Sequence, residues 1–219
     1  MIAPQFLKRL GTFIIGLIAA FLLSAVASFV LYQCSINAKY HHLWAIVAIL
    51  FYIIFILTIV RIWHTKLKKE QRSTNLLQNI IWLLVSILIM LTVYWSINEL
   101  HTPTNKHESY NMTTIFYTFI FYVCFAPIVE ETICRGWFLS LFFRRRFQDV
   151  GINAVTIVIS CLISSYISTM MHGLTDIIAI FPIFINGCVA AILYLKSNSI
   201  LIPIIFHVVI NLLAWITIL

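Results

Sequence analysis

Seven apolar runs, each close to the length needed to cross a bilayer, constrain this chain more than any other feature. They cover roughly Leu10–Tyr32, Leu43–Val60, Asn79–Ile97, Thr113–Phe143, Ile152–Met171, Ile177–Leu195 and Ile200–Leu219. A hydrocarbon core about 30 Å thick is crossed by about 20 residues at a helical rise of about 1.5 Å each. Lipid offers no partner to backbone N–H and C=O groups, so every run is expected to be a helix. Composition agrees, because 62% of the 219 residues are hydrophobic and only 10% are charged. A soluble domain is about half apolar and a quarter charged. Too little charge remains to face water, which excludes a disordered chain, a soluble nucleic-acid binder and a secreted disulfide scaffold. The expected fold is an all-α, polytopic membrane helix bundle of about seven transmembrane helices. Three spans fall in residues 1–112 and four in residues 113–219.

The net charge of +7 reads as topology, because Lys and Arg collect in cytoplasmic loops. With the N-terminus inside, the inner loops hold Lys8, Arg9, Arg61, Lys66, Lys68, Lys69, Arg72, Arg144, Arg145, Arg146 and Lys196. The outer loops hold only Lys39 and Lys106. The N-terminus is therefore expected in the cytoplasm, with anionic lipid head groups as partners of the inner loops and no nucleic acid. The location that follows is a cell membrane crossed several times. Lys8 and Arg9 precede an apolar stretch reaching Ala25-Val26-Ala27, which has the small-x-small form of a signal-peptidase site. The run continues through Phe29-Val30-Leu31, so a retained helix is expected. The five cysteines, Cys34, Cys124, Cys134, Cys161 and Cys188, form no CxxC pair and are expected to pack as small apolar residues.

An ionisable group in a span marks a functional site by default, because its burial is costly unless it is paired or wetted. Such groups cluster in the second half: Glu130, Glu131 and Arg135 in the fourth span, His172 ending the fifth, and His207 with Asn211 in the seventh. Glu131 and Arg135 are four apart, so they share a helix face and can pair. Glu130 is then the spare acid. Two adjacent carboxylates in a dry site do not both ionise easily, and a carboxylate held near neutrality suits a general base. Pro127 frees a backbone carbonyl and can bend the helix there. His207 and Asn211, also four apart, present an imidazole and an amide donor on one face. An amide of that kind suits an oxyanion. His172 precedes Gly173, which would let backbones approach closely. Singly, each of these has a bland explanation as a neutralised bridge, a packed histidine or an interhelical asparagine. Six of them on three helices favour a site.

The stretch Pro127-Ile-Val-Glu130-Glu131-Thr-Ile-Cys-Arg135-Gly136 resembles the EExxxR motif of the CPBP family of intramembrane proteins. That family includes type II CAAX prenyl proteases and the Abi proteins of bacteriocin processing and self-immunity. His207-Val-Val-Ile-Asn211 resembles its HxxxN motif. The stretch from Gly187 to Pro203 also resembles the family's approach to that histidine. The FxxxH motif is matched only at His172, since Ser168 stands where the phenylalanine would be. The resemblance covers about residues 113–219 and implies an intramembrane endopeptidase without a covalent nucleophile. It implies that Glu130 activates water with the help of His172, that His207 and Asn211 stabilise the oxyanion, and that Glu131 and Arg135 support the site. The substrate would be a peptide or protein at or in the membrane. No cofactor is expected, with zinc held by Glu130, His172 and His207 as the alternative. Small size and the absence of a soluble domain point to a bacterial member, tied to bacteriocin self-immunity or peptide maturation. A non-enzymatic immunity protein that sequesters a peptide or masks its receptor is the second reading, and a small transporter the third.

One difficulty is visible in advance. The expected spans place His172 near the outer end of the fifth helix, Glu130 near mid-depth and His207 nearer the inner side. Either the fifth helix runs on past Gly173, or Phe138–Phe147 lies flat at the interface.

Overall fold

The computed structural model describes residues 4–36, 38–67, 75–100, 111–142, 154–173, 176–197 and 199–216. Helix α1 (Pro4–Ser35) runs antiparallel to α2 (His41–Ile62), which continues into a π turn at Trp63–Leu67. Helix α3 (Leu76–Leu100) is followed by α4, continuous over Met112–Phe142. Helices α5 (Ala154–Met170), α6 (Ile177–Ser197) and α7 (Leu201–Ile216) complete the bundle. No strand occurs among the described residues. The fold is an all-helical, multi-pass membrane bundle.

Five helices, α1 to α4 and α6, are long and apolar enough to cross a membrane. The fifth and seventh expected spans are shorter where described, at 17 and 16 residues, or about 26 and 24 Å of helix. Residues 152–153 and 217–219, which belong to those expected spans, lie outside the described residues. Large apolar side chains such as Ile15, Leu22, Leu57 and Leu88 face outward, as a lipid-exposed surface requires. Small residues are buried where α1 meets α2, among them Ala27, Cys34, Ala45 and Ala48. Without a hydrophobic drive between helices in lipid, close packing of small residues holds them. The cysteines are all free, three of them buried.

Helix α1 lies antiparallel to α4 along its whole length. Arg9 Nη1 donates to Leu141 O at 3.0 Å at one end, and Asn111 Nδ2 donates to Cys34 O at 2.9 Å at the other. Asn111 also caps α4, its Oδ1 accepting from the Thr114 N–H at 2.7 Å. Trp137 Nε1 donates to Ile59 O, and Ser140 pairs with Tyr194. These contacts set Arg9, Arg61 and Lys196 at one end of the bundle, with Lys39 at the other, in keeping with the expected division of charge. The side chains of Lys66, Lys68, Lys69, Arg72, Lys106 and Arg144–Arg146 lie outside the described residues. The α1 helix passes unbroken through Ala25–Ala27, where Ala27 is fully buried.

Neither expected remedy for the mismatch in depth occurs. Helix α5 stops at Met170, and Phe138–Phe142 continues α4, while 143–147 lie outside the described residues. The length of α4 solves the problem instead. About 27 Å of helix precedes Glu130, so this residue lies far down α4, beside the turn that ends the short α5. Glu130 faces α1 residues Ala20–Ser28, midway along the α1–α4 pair.

Candidate active site

Two wide stretches interrupt α4, at Phe119–Phe125 and Thr132–Trp137, on either side of the turn Ala126–Glu131. Single π turns inside α-helices are frequent at functional sites because they re-aim side chains. Pro127 explains part of the local geometry. In the wide turn the Ala126 N–H bonds to Phe121 O. The next rung would join residue 127 to Tyr122 O, but proline has no N–H. Asn211 Nδ2 of α7 donates to Tyr122 O at 2.9 Å, so the orphaned carbonyl fixes α7 against α4.

The two adjacent glutamates face different surroundings. Glu131 and Arg135 are both fully buried. Glu131 Oε1 accepts from Arg135 Nη1 at 3.0 Å and from His207 Nδ1 at 2.9 Å. Arg135 also donates through Nη1 to Ser168 Oγ at 3.2 Å and through Nη2 to Gly187 O at 2.9 Å. One buried ion pair thus ties α4 to α5, α6 and α7. Gly187 is required for this seat, because a Cβ there would lie 3.0 Å from Ser165 Cβ and 3.1 Å from Arg135 Nη2. Ser164 Oγ adds a bond to Cys134 O at 2.8 Å.

Glu130 turns the other way. Its side chain is 13% exposed, and Oε1 lies 4.0 Å from His172 Nε2. Its Oε2 is buried with no hydrogen-bond partner. His172 Nδ1 lies 3.1 Å from Ser168 O. A carbonyl only accepts, so Nδ1 carries a hydrogen, and Nε2 is the ring nitrogen turned toward Glu130. Both residues open onto a cavity of about 210 Å³. Ser24 of α1, Tyr52 of α2, Tyr122 of α4 and Asn211 of α7 contribute to its wall.

The expected Glu131–Arg135 pair is present, and Glu130 is the acid left facing the cavity. His207 Nδ1 is engaged by Glu131, which leaves Nε2 as its other polar atom, and Asn211 one turn on lines the cavity. The Glu131 carboxylate is buried beside the one cation Arg135, so the imidazole serves it as a second donor. The alternative zinc set of Glu130, His172 and His207 is not assembled. Among the described residues no group of three His, Cys, Asp or Glu side chains is placed to hold a metal. Gly173 does not serve close approach either, since nothing lies within 4 Å of a Cβ built there. It adopts φ +62° instead and ends α5, a conformation that glycine takes without steric cost. Ser168 has a double duty that explains the missing phenylalanine. Its hydroxyl meets Arg135 while its carbonyl holds His172. Sequence reading passed over Ser164 and Tyr52 altogether and gave Gly187 no role in the site. The small, polar face Ser160, Ser164, Ser165, Ser168 of α5 was the available signal for the first.

Fold and site together define a multi-pass helical membrane protein centred on a split carboxylate pair and two imidazoles. Residues 112–213, a little under half of the chain, match the family model described as type II CAAX prenyl endopeptidase Rce1-like, so this part of the chain is similar to that protease family. The match includes Glu130, Glu131, Arg135, His172, His207 and Asn211, while α1, α2 and α3 precede it. Neither a curated protein nor a solved structure matches the chain.

Proposed function

We propose that the protein is an intramembrane endopeptidase in which Glu130 activates a water for attack on a peptide carbonyl. The observation that carries this reading is Glu130 in the wall of a cavity, with His172 Nε2 standing 4.0 Å from its Oε1. That separation is too long for a direct hydrogen bond, and it suits one water bonded to both acceptors. Glu130 takes a proton as the water oxygen bonds to the carbonyl carbon, and the C=O electron pair moves to oxygen. Collapse of the tetrahedral species breaks the C–N bond, and Glu130 returns its proton to the leaving amine. His172 accepts the second hydrogen of the water and keeps it oriented. The buried Glu131–Arg135–His207 assembly holds the helices that carry these groups.

The substrate is a peptide or membrane-adjacent protein segment, and the reaction needs no metal. Anionic head groups meet the basic end of the bundle. The setting we favour is a bacterial plasma membrane, in bacteriocin self-immunity or peptide maturation, on the strength of the family resemblance. The test is cleavage of membrane-anchored peptides by the protein in liposomes, read by mass spectrometry, with and without a chelator. Glu130→Gln should abolish cleavage and chelation should not. Full turnover by Glu130→Gln removes the general base, and chelation that stops cleavage restores zinc. Toxin survival that persists without cleavage favours a binding role instead.

A further inference from the structure

Tyr52 of α2 is the cavity's unassigned polar group. Its residue is only 4% exposed, it lines the cavity that contains Glu130, and its hydroxyl bonds to no described residue. The hydroxyl is not among the enclosed polar atoms, so it opens onto the cavity, where a phenol without a protein partner is free to meet one that arrives with the substrate. The ring is held between Phe121, at 5.4 Å between centroids, and Phe125, stacked at 5.5 Å and 24°. The hydroxyl is therefore placed by packing before any substrate enters.

The other polar groups around the cavity are partly engaged. Tyr122 OH pairs with Ser28 Oγ at 3.2 Å, Asn211 Nδ2 spends one of its two hydrogens on Tyr122 O, and His172 Nδ1 faces Ser168 O. His207 meets Glu131 through Nδ1. Ser24 also reaches the wall, but it is half-buried on a side chain free to rotate. Resting on the peptidase reading above, we infer that Tyr52 is a further catalytic residue, its hydroxyl donating a hydrogen bond to the carbonyl oxygen as it becomes an oxyanion. A neutral donor strengthens its bond as charge develops on the acceptor, so it favours the transition state over the bound substrate. The proton stays on Tyr52 throughout, and the proton balance remains with Glu130. Tyr52 lies outside residues 112–213, so the N-terminal helices complete the site.

The experiment uses the full chain in liposomes with a pool of synthetic membrane-anchored peptides, followed by mass spectrometry. Tyr52→Phe keeps the ring stack and removes the hydroxyl. It is expected to lower kcat by about 10²–10³-fold, the usual loss for one oxyanion donor, with KM nearly unchanged. Tyr117→Phe, at the far end of α4, is the matched control, and thermal unfolding should show all variants folded. Tyr52→Phe within threefold of the parent kcat overturns the inference, as does a loss confined to Ser24→Ala. In those cases inactive Glu130→Gln still upholds the peptidase reading. No cleavage by the parent, or full activity of Glu130→Gln, overturns that reading and this inference with it.

Discussion

His207 Nδ1 lies 2.9 Å from Glu131 Oε1, the same oxygen that Arg135 Nη1 reaches at 3.0 Å. That shared acceptor separates two adjacent carboxylates into different tasks. Glu131 is a fully enclosed anion with two donors, and its helix partners come from α4 and α7. Glu130, one residue earlier, points about a quarter-turn away into the cavity. The site is thus built as a wet face on a dry, charged support.

The division has a measurable consequence. Glu131→Gln preserves shape but leaves Arg135 buried without its counter-charge, which should destabilise the fold by about 3–5 kcal/mol. Glu130→Gln removes an acid that no cation neutralises, and its folding stability should stay near that of the parent. Unfolding of both variants in detergent micelles checks this. Equal losses at the two positions would mean that both glutamates are structural.

Ser168 offers a second discrimination. Ser168→Ala deletes the hydroxyl bond to Arg135 but leaves the carbonyl that orients His172. A hydrogen bond to a charged group is worth about 1.5–3 kcal/mol, so stability should fall by about that much while kcat holds. Ser168→Phe restores the residue of the FxxxH pattern, yet the position is 3% exposed and in contact with Arg135. The ring has no room, and the variant should fail to accumulate in membranes. Normal accumulation and activity of Ser168→Phe would show that α5 can shift to accept it.

These residues also show what the sequence discloses and where it stops. Apolar runs locate the seven helices of the described residues, because lipid leaves a backbone no alternative. The i, i+4 spacing identifies the Glu131–Arg135 pair, because one helix suffices to bring them together. His207 and Asn211 share that spacing too, but their partners lie on α4, and only packing tells which carboxylate the imidazole meets. The depth of His172 was misjudged because the ends of α4 and α5 depend on π turns and a left-handed glycine, which hydropathy does not register. Tyr52 stayed hidden because an aromatic in an apolar run has no signature until its hydroxyl is seen without a partner.

Asn211 and Pro127 should be coupled. Asn211 Nδ2 occupies the Tyr122 carbonyl whose rung the proline leaves empty. Pro127→Ala supplies an N–H that can close the rung from within α4. Asn211→Leu should therefore cost about 0.5–1.5 kcal/mol in the parent, as the Tyr122 carbonyl loses its donor, and clearly less in the Pro127→Ala background. A double-mutant cycle on unfolding free energies reads the difference, for which about 0.5 kcal/mol or more is expected between contacting residues. Strict additivity would show that Asn211 does not compensate for the proline.

Two glycines should fail for different reasons. Gly187→Ala sets a Cβ 3.0 Å from Ser165 Cβ and 3.1 Å from its Cα, so backbone must move. Overpacking of this kind costs about 1–3 kcal/mol. The displaced helix is α5, whose end carries His172, so kcat should fall along with stability. Gly173→Ala meets open space, but its φ of +62° penalises any side chain, by about 1–2 kcal/mol. That strain sits beside His172 and should be relieved by fraying the turn rather than by moving α5. Hydrogen exchange separates the two outcomes. Gly187→Ala should loosen amides along Ser164–Thr169 and the facing turn of α6, and Gly173→Ala only those at 171–173. Loosening of α5 by Gly173→Ala and not by Gly187→Ala would place the control of His172 in the turn instead of in the α5–α6 contact.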